Sequence, residues 1–355
     1  MLERIESANG TAMRPTNWLA SRSSPQASEG WANLLAVRAL VLEGGTLTLR
    51  DRPRPSADGE CVVRVTAAGI CGTDLELLRG YAGFDGVPGH EFAGVVEQAP
   101  PADAKWIGRR VVGEITVGCG RCAACRTAGR GHCDVRSVVG IRGRDGAFAE
   151  YLSLPSTNLH DIPPSIDDVT AVFVEPTAAA CRILEQVDIP VGAPVAVVGA
   201  GRLGLLVAQV LRAHGADVAL IVRSDRSRSN AAALGFDSVD AASASSYARR
   251  FDAAVDATGV PDGFTIAAAS VRARGTIVVK STFHGETRVD FSPLVVDEIT
   301  VVGSRCGPFD RAIALLEQRR VQVKPLVSGV YPLAEFGQAF EQARRGLKTI
   351  LNPGT

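Results

Sequence analysis

The stretch Val195-Ala-Val-Val-Gly199-Ala-Gly201-Arg202-Leu203-Gly204 decides how the second half of the chain folds. Its apolar start has the length of a buried strand, and its end opens a helix that runs to about His214. Gly199 permits a tight turn, Gly201 lets the backbone approach a pyrophosphate, and Gly204 allows the helix to pack against the strand. Free N–H groups at the start of such a helix attract phosphate. The stretch, including Arg202 and Leu203, therefore predicts a dinucleotide site rather than a plain tight turn.

The strand and helix alternation continues after this stretch. Further strand-length apolar runs end at Val222, Val255, Val279 and Val302. The pattern predicts a parallel, doubly wound sheet, in which ligands bind at the carboxyl ends of the strands. Four residues end later strands and are therefore predicted to line the cofactor crevice: Thr258, Gly259, Ser281 and Thr282.

The C-terminal part of the chain is predicted to form two amphipathic helices, from Phe309 to Arg320 and from Leu333 to Arg345, on either side of a strand near Leu326 to Tyr331.

The residues after the second strand bear on the choice of cofactor. An acidic residue about 20 positions after the glycines would bind the ribose 2′-hydroxyl of NAD. This chain has Arg223 and Ser224 there, followed by Arg228, which favours the 2′-phosphate of NADP. Asp225 in the same loop keeps NAD open, and a solvated basic loop is the plainer alternative.

The first half of the chain has a different rhythm. From Val37 to about Pro163, short alternating strands are separated by Gly and Pro turns, which predicts a mostly β, barrel-like module. The predicted strands include Cys61 to Val65, Glu91 to Glu97, Arg110 to Val117 and Ala147 to Leu154. Residues 1–36 show no apolar period and are predicted to form a disordered extension. A native start at Val37 and an organellar transit peptide are the alternatives.

Two groups of residues suggest metal binding. Cys119, Cys122, Cys125 and Cys133 supply enough thiolates for a closed, tetrahedral zinc site, which would be structural. The strings Cys71-Gly-Thr73-Asp74 and Gly89-His90-Glu91 pair a thiolate with imidazole and carboxylate groups, and together they suggest a catalytic zinc.

Composition limits the classes of partner. Lys plus Arg and Asp plus Glu both total 38, so the net charge is zero and neither nucleic acid nor a membrane surface is favoured. The apolar runs are too short to span a bilayer. Eight cysteines in this pattern indicate metal binding in a reducing, cytoplasmic compartment rather than a disulfide scaffold. A small molecule is the expected partner.

In the order of its motifs, the chain resembles the zinc-containing medium-chain alcohol dehydrogenase family. The resemblance covers nearly all of Val37 to Pro353, and its motifs are Cys71-Gly-Thr73-Asp74, Gly89-His90-Glu91, the four-cysteine loop, Val174-Glu175-Pro176, the glycine stretch and Asp256-Ala-Thr258-Gly259. It implies an α/β protein with a GroES-like β-barrel catalytic domain (residues 37–187 and 306–355) and a Rossmann nucleotide-binding domain (188–305). It also implies one catalytic and one structural zinc, NADP or NAD, and a homodimer or homotetramer.

The resemblance also implies roles for individual residues. Cys71 and His90 would bind the catalytic zinc, with Glu91 and Glu175 as the remaining ligands or near ligands. Asp74 would orient His90, and Thr73 would pass on the substrate proton. Lys348 would contact the cofactor pyrophosphate, with a solvated helix-end lysine as the alternative.

The substrate class is inferred from departures within the motifs. The Glu175-Pro176 pair is typical of the polyol and sugar branch of the family, and Glu76 replaces a histidine of the proton relay, as in glucose dehydrogenases of the family. The expected reaction is hydride transfer between an alcohol carbon, of a polyol or sugar, and the nicotinamide. A zinc-free quinone or enoyl reductase of the same fold and a non-catalytic nucleotide-binding sensor are the alternatives.

Overall fold

A computed structural model describes residues 36–282 and 286–354. The strands are β1 (Ala36–Glu43), β2 (Thr46–Pro53), β3 (Cys61–Ile70), β4 (Glu91–Gln98), β5 (Arg110–Gly113), β6 (Thr116–Val117), β7 (Ser137–Val138), β8 (Tyr151–Leu154), β9 (Leu159–Asp161), β10 (Pro194–Val198), β11 (Asp217–Val222), β12 (Ser238–Asp240), β13 (Phe251–Asp256), β14 (Val271–Val279), β15 (Thr300–Gly303), β16 (Val327–Pro332) and β17 (Lys348–Asn352). The α-helices are α1 (Gly72–Leu77), α2 (Ala123–Thr127), α3 (Asp168–Ala171), α4 (Val174–Cys181), α5 (Ile183–Gln186), α6 (Arg202–His214), α7 (Asp225–Ala233), α8 (Asp262–Ser270), α9 (Phe291–Val296), α10 (Phe309–Glu317) and α11 (Phe336–Arg345).

One sheet is parallel and doubly wound. Its six strands lie in the order β12-β11-β10-β13-β14-β15, and every neighbouring pair is parallel. The order reverses between β10 and β13, so a crevice opens at the carboxyl ends of these two strands. Val195 to Val198 are all buried because helices cover both faces of the sheet. The predicted doubly wound sheet is confirmed.

The other large sheet is mostly antiparallel and combines two distant parts of the chain. Its order is β16-β17-β3-β4-β5-β9, and β8 also pairs with β3. The C-terminal strand β17 pairs with β3, so that Leu351 lies opposite Ala68. The chain therefore returns to its first half after building the parallel sheet.

Several elements differ in extent from the sequence prediction. The run from Arg110 to Val117 is two strands, because Asn158 inserts its amide between them and donates to the carbonyls of Glu114 and Thr116, at 2.9 and 3.0 Å. The predicted strand from Ala147 begins only at Tyr151, since Ala147 donates its N–H to the Gly89 carbonyl in a loop.

The C-terminal helices are shorter than predicted. The helix expected from Phe309 to Arg320 ends at Glu317, and the helix expected from Leu333 starts at Phe336 after one 3₁₀ turn. Arg319 has a φ of 55°, a left-handed conformation that an α-helix does not contain.

The predicted extension 1–36 lies outside the described residues, apart from Ala36, which begins β1. The predicted domain limits stay a prediction, because residues 36–355 form a single compact unit. No helix within the described residues is long and apolar enough to cross a bilayer.

Candidate active site and dinucleotide cleft

The pairing of β3 with β4 brings the catalytic motifs together. Gly69 lies opposite Glu91 in this antiparallel pair, so Cys71, just beyond the end of β3, lies beside His90, just before the start of β4. One ligand atom from each of Cys71, His90 and Glu91 lies within 4.8 Å of the other two. His90 and Glu91 are 3% and 1% exposed, which keeps both side chains out of bulk water.

Asp74 contacts both Cys71 and His90 through its carboxylate. Its Oδ2 accepts the main-chain N–H of Cys71 at 2.7 Å, and its Oδ1 lies 3.5 Å from Nδ1 of His90. These two facing atoms are buried and make no other hydrogen bond among the described residues. Burial would lower the pKa of His90, but the charges of Asp74 and Cys71 outweigh it and hold the pKa well above its usual value. With Nδ1 turned toward Asp74, Nε2 is the atom left for a metal.

This donor set fits zinc. A thiolate, an imidazole and a carboxylate are ligands that catalytic zinc sites combine, with a further position left for the substrate. The buried Nδ1 of His90 faces only the Asp74 carboxylate. In metal sites, a carboxylate in this position orients the imidazole that binds the metal.

Glu91 and Glu175 are the two candidates for the carboxylate ligand beside Cys71 and His90. Glu91 forms a buried ion pair with Lys348, whose ammonium donates to Glu91 Oε2 and which is only 2% exposed. Glu175, near the start of α4, lines the same cleft but is not one of the three grouped ligands. Burial raises the pKa of Glu175 to about 7, although positive charge on His90 opposes the rise.

The four cysteines also form a compact group. Their sulfur atoms lie within 4.8 Å of one another; Cys119 and Cys125 are 4.0 Å apart, and Cys122 and Cys133 are 3.8 Å apart. Tetrahedral sulfurs at about 2.3 Å from zinc are separated by roughly 3.8 Å, so the group fits a zinc ion. The main-chain N–H of Cys119 points at Cys133 Sγ, and that of Cys125 points at Cys122 Sγ, both at 3.4 Å. Such donors stabilise thiolates.

The glycine stretch forms a cradle at the start of α6. Gly199 has a φ of +97°, which favours glycine, and a Cβ on Gly204 would lie 2.0 Å from the Gly199 carbonyl oxygen. Gly201 precedes the helix, no side chain caps it, and the space above it is open. Uncapped N–H groups beside open space fit a bound pyrophosphate.

The ends of β13 and β14 are tied together beside this cradle. Asp256 is buried, and its Oδ1 accepts from the Thr258 hydroxyl at 2.8 Å and the Ser281 hydroxyl at 3.0 Å. The Ser281 hydroxyl oxygen in turn accepts the N–H of Gly259 at 2.8 Å. Three of the four predicted crevice residues, Thr258, Gly259 and Ser281, are thus held in one hydrogen-bonded group.

The candidate catalytic group, the start of α6 and the ends of β13 and β14 open into one cleft of about 690 Å³. Its lining includes Cys71, Thr73, Glu91, Glu175, Gly201, Arg202, Leu203, Thr258, Gly259, Ser281, Thr282 and Lys348. The Thr73 hydroxyl lies 3.9 Å from the Cys71 sulfur. A metal group, a hydroxyl and a dinucleotide cradle therefore share one cavity.

The comparisons with known proteins agree with this arrangement. A model of the alcohol dehydrogenase GroES-like domain matches residues 57–164, and a model of zinc-binding dehydrogenases matches residues 203–318. An L-threonine 3-dehydrogenase from Streptomyces coelicolor is 33% identical over 345 residues, covering 89% of this chain and 99% of that protein. The chain belongs to the zinc-containing medium-chain dehydrogenase family.

Two further relatives of the dehydrogenase support this assignment. A sorbitol dehydrogenase from Halalkalibacterium halodurans is 28% identical over 331 residues, covering 87% of this chain and 96% of that protein. A solved structure from Sinorhizobium meliloti 1021, a proposed zinc-binding dehydrogenase bound to NADP, has a TM-score of 0.82 and 28% identity, covering 90% of this chain and 99% of that chain. The predicted GroES-like and Rossmann fold, the oxidoreductase activity on CH–OH groups and the use of zinc and NAD(P) are confirmed.

Some predicted cofactor residues of the dehydrogenase have other contacts. Lys348 was expected at the pyrophosphate, but its ammonium donates to Glu91. Arg202 donates to the main-chain carbonyls of Ala343 and Leu347, so it ties α6 to the end of α11.

The basic loop after β11 lies outside the lining of the cleft. Arg223 lies 3.2 Å from Asp262, Ser224 caps α7, and Arg228 lies 3.3 Å from Asp240. The Arg223 and Arg228 side chains are 56% and 40% exposed. These three residues therefore stand at the surface, and their role toward the cofactor stays a prediction.

Lys280, which the sequence analysis missed, belongs to the cleft. It is 8% exposed, and its ammonium donates to the carbonyls of Ala179 and Arg305, both at 2.7 Å, and to the Ser304 hydroxyl at 3.3 Å. Burial lowers its pKa to about 8. A lysine directly after the apolar run of β14, at the ligand-binding end of the sheet, was the available signal.

Proposed function

We propose that this dehydrogenase oxidises a secondary or primary alcohol of a polyol or sugar, with NADP as the favoured hydride acceptor, and catalyses the reverse reduction. The observation that carries the proposal is the single cleft that contains Cys71, Thr73 and Glu175 on one side and the uncapped start of α6 on the other. A hydroxyl carbon held at the metal group would then face a nicotinamide whose pyrophosphate rests on Gly201.

At the metal end of the cleft, each residue has a separate proposed role. Cys71 and His90 would hold the zinc together with Glu91 or Glu175, and the bound metal would supply Lewis-acid stabilisation of the oxygen that loses its proton. Thr73 accepts that proton through its hydroxyl and passes it toward solvent. Asp74 fixes the imidazole of His90, and the buried Lys348 balances the charge of Glu91.

The cofactor end of the site is part of the same proposal. Gly199, Gly201 and Gly204 cradle the pyrophosphate, while Thr258, Gly259, Ser281 and Thr282 contact the nicotinamide half. Arg223, Ser224 and Arg228 recognise the 2′-phosphate of NADP. The supporting observation is that the Arg223 side chain is more than half exposed and bonded only weakly, so it is available to an anionic ligand.

The remaining parts of the proposal concern assembly and compartment. The four-cysteine loop holds a structural zinc, and the enzyme works as a homodimer or homotetramer in the cytoplasm. The exposed edge strand β15, with Val301 46% exposed, supports self-association. The eight cysteines are all unpaired, which agrees with a reducing compartment.

The test is reduction of NADP and of NAD by the zinc-loaded enzyme across a panel of polyols, aldoses and simple alcohols. We expect turnover of polyols or sugars, loss of activity on zinc removal, and loss in Cys71→Ala with one zinc fewer per chain. Cys61→Ala, which removes a buried thiol from the start of β3, the strand that ends just before Cys71, is the matched control and should keep both zinc ions.

The cofactor assignment is tested in the same assay. Arg223→Asp should lower kcat/KM for NADP by roughly 10- to 100-fold, the worth of a charged hydrogen bond, and raise it for NAD.

Turnover of simple alcohols alone would remove the polyol assignment. Reduction of quinones by the metal-free protein would contradict the proposed chemistry.

A further inference from the structure

A second cavity, of about 650 Å³, adjoins the catalytic cleft. We call it the side cavity. Lys280, Ser281 and Thr282 line both spaces, so the two meet at the carboxyl end of β14. The other walls of the side cavity come from residues 114–116, from Arg182, Glu185 and Gln186, from the turn at residues 128–132, and from residues 303–309 at and after the end of β15. The two cavities are therefore adjacent at these three residues.

The side cavity contains three cations without an acidic partner. Arg130 donates to the Thr157 hydroxyl, Arg305 donates to the Gly131 carbonyl, and Lys280 donates only to two carbonyls and a hydroxyl. In the part of the chain that the structure describes, none of these three cations lies within ion-pair distance of a carboxylate. Both arginines are exposed and keep free donors, since each guanidinium carries five N–H groups.

The hydrogen bond from Arg305 to the Gly131 carbonyl joins the segment that contains Arg305 to the turn that contains Arg130, and both segments line the side cavity. Gly131 follows Arg130 directly, so the contact draws residues 303–309 against the turn at residues 128–132. A Cβ on Gly131 would lie 3.4 Å from Nη2 of Arg305, which shows how closely the guanidinium approaches this turn.

The acidic residues of the side cavity each have a basic partner, although Glu114 shares His160 with Asp310. Glu185 pairs with Arg182 at 2.6 Å, and Glu114 lies 3.0 Å from the ring of His160. The unpaired charge that remains in the cavity is therefore positive. An uncharged polyol can accept hydrogen bonds here but cannot neutralise this charge, whereas a carboxylate or phosphate neutralises it and matches the fork of a guanidinium.

We propose that the side cavity binds the anionic end of the substrate, a carboxylate or phosphate carried by a polyol chain, through Arg130 and Arg305, with Lys280 adding positive charge where the two cavities meet. This inference rests on the proposed function and narrows its substrate class to sugar acids or sugar phosphates. The volume of the side cavity lies within the usual range for small-molecule sites, roughly 300–1,000 Å³.

The experiment compares three compounds that share one carbon skeleton: sorbitol, gluconate and sorbitol 6-phosphate. The zinc-loaded full chain should oxidise at least one of the two anions with a kcat/KM about tenfold or more above that of sorbitol. The better anion distinguishes carboxylate from phosphate. Arg305→Gln and Arg130→Gln should each lower kcat/KM for that anion by roughly 10- to 100-fold, the worth of a hydrogen bond to a charged group, and should lower the sorbitol value far less.

Arg126→Gln is the matched control. Arg126 is an exposed arginine in the same cysteine-rich segment, and it also donates to a main-chain carbonyl, that of Arg121, but it does not line the side cavity. We expect Arg126→Gln to behave like the unaltered enzyme with all three compounds.

The outcomes separate this inference from the proposed function. Turnover of sorbitol equal to that of both anions, or an equal loss in the Arg126→Gln control, removes the anionic subsite and leaves the proposed function standing. If none of the three compounds reduces the cofactor, calorimetric titration of phosphate and of malonate into the enzyme saturated with zinc and NADPH decides. Binding that is lost in Arg305→Gln supports the subsite, and absence of binding in the unaltered enzyme overturns it.

Discussion

Thr73 is the residue whose removal tests the proton path. Its hydroxyl lies in the cleft, 3.9 Å from the Cys71 sulfur, and follows the candidate ligand by only two positions. Thr73→Val keeps the shape of the side chain but cannot take up a proton, so we expect kcat to fall by roughly 10²- to 10⁴-fold. Steady-state kinetics with NADP and the best alcohol measures this change.

Thr73→Ser is the control, because it retains the hydroxyl and should keep most of the activity. Zinc content should be the same in both variants. A Thr73→Val enzyme with nearly full kcat would show that the proton leaves by another route.

At the scale of secondary-structure elements, His160 connects strand β9 to the residue after β5 and to the start of helix α10. It lies in β9, with Nε2 3.0 Å from Glu114 after β5 and Nδ1 3.0 Å from Asp310 at the start of α10. Its ring stacks on Phe309 at 5.1 Å. Burial would lower the pKa of His160, but the hydrogen bonds and charges of the two carboxylates outweigh it and raise the pKa.

This raised pKa predicts a pH-dependent stability. The protonated ring gains two acidic partners on folding, so its contribution is fully present below the unfolded pKa of about 6.5 and is lost as the pH rises through the higher folded value. Denaturant unfolding of the unaltered protein and of His160→Gln at several pH values measures it. The difference in unfolding free energy should shrink as the pH rises, by about 1 kcal/mol or less, since Asp310 is largely exposed.

Asp310→Asn provides a second variant for this prediction, because it leaves the ring and removes one acidic partner. It should reduce the same pH dependence in part. A difference between the unaltered protein and His160→Gln that is constant with pH would contradict the ion-pair account.

At the scale of the whole molecule, the edge of the parallel sheet is the surface proposed for self-association. β15 is an edge strand, and Val301 is 46% exposed on it, while Val296 on the neighbouring α9 is 80% exposed. We expect sedimentation to give a multiple of the chain mass of 37.2 kDa, and Val301→Asp to shift it toward that mass, because a buried charge without a partner is costly.

Val191→Asp is the control for this change. Val191 is 79% exposed but lies away from β15, in the loop before β10, so the same substitution there should leave the assembly intact. A mass equal to that of one chain for the unaltered protein would remove the proposed interface.

The fold followed from the sequence where local pattern decides it. Val195 to Gly204 predicted the strand, the turn and α6 because each glycine acts on backbone within a few residues of itself. Boundaries were predicted less well where a distant residue intervenes. Asn158 splits the run from Arg110 to Val117, and nothing in that run shows the interruption.

By itself, the sequence determined the parts of this protein that lie within one loop or one turn: the glycine cradle, the four-cysteine group and the alternation of strands and helices. Only the tertiary structure decided which distant side chains meet. Lys348 reaches Glu91 across 257 residues, and Lys280 joins the end of β14 to Ala179 of α4 and to Arg305. The physical reason is that such contacts depend on strand register and on how sheets and helices pack, and no local spacing records either.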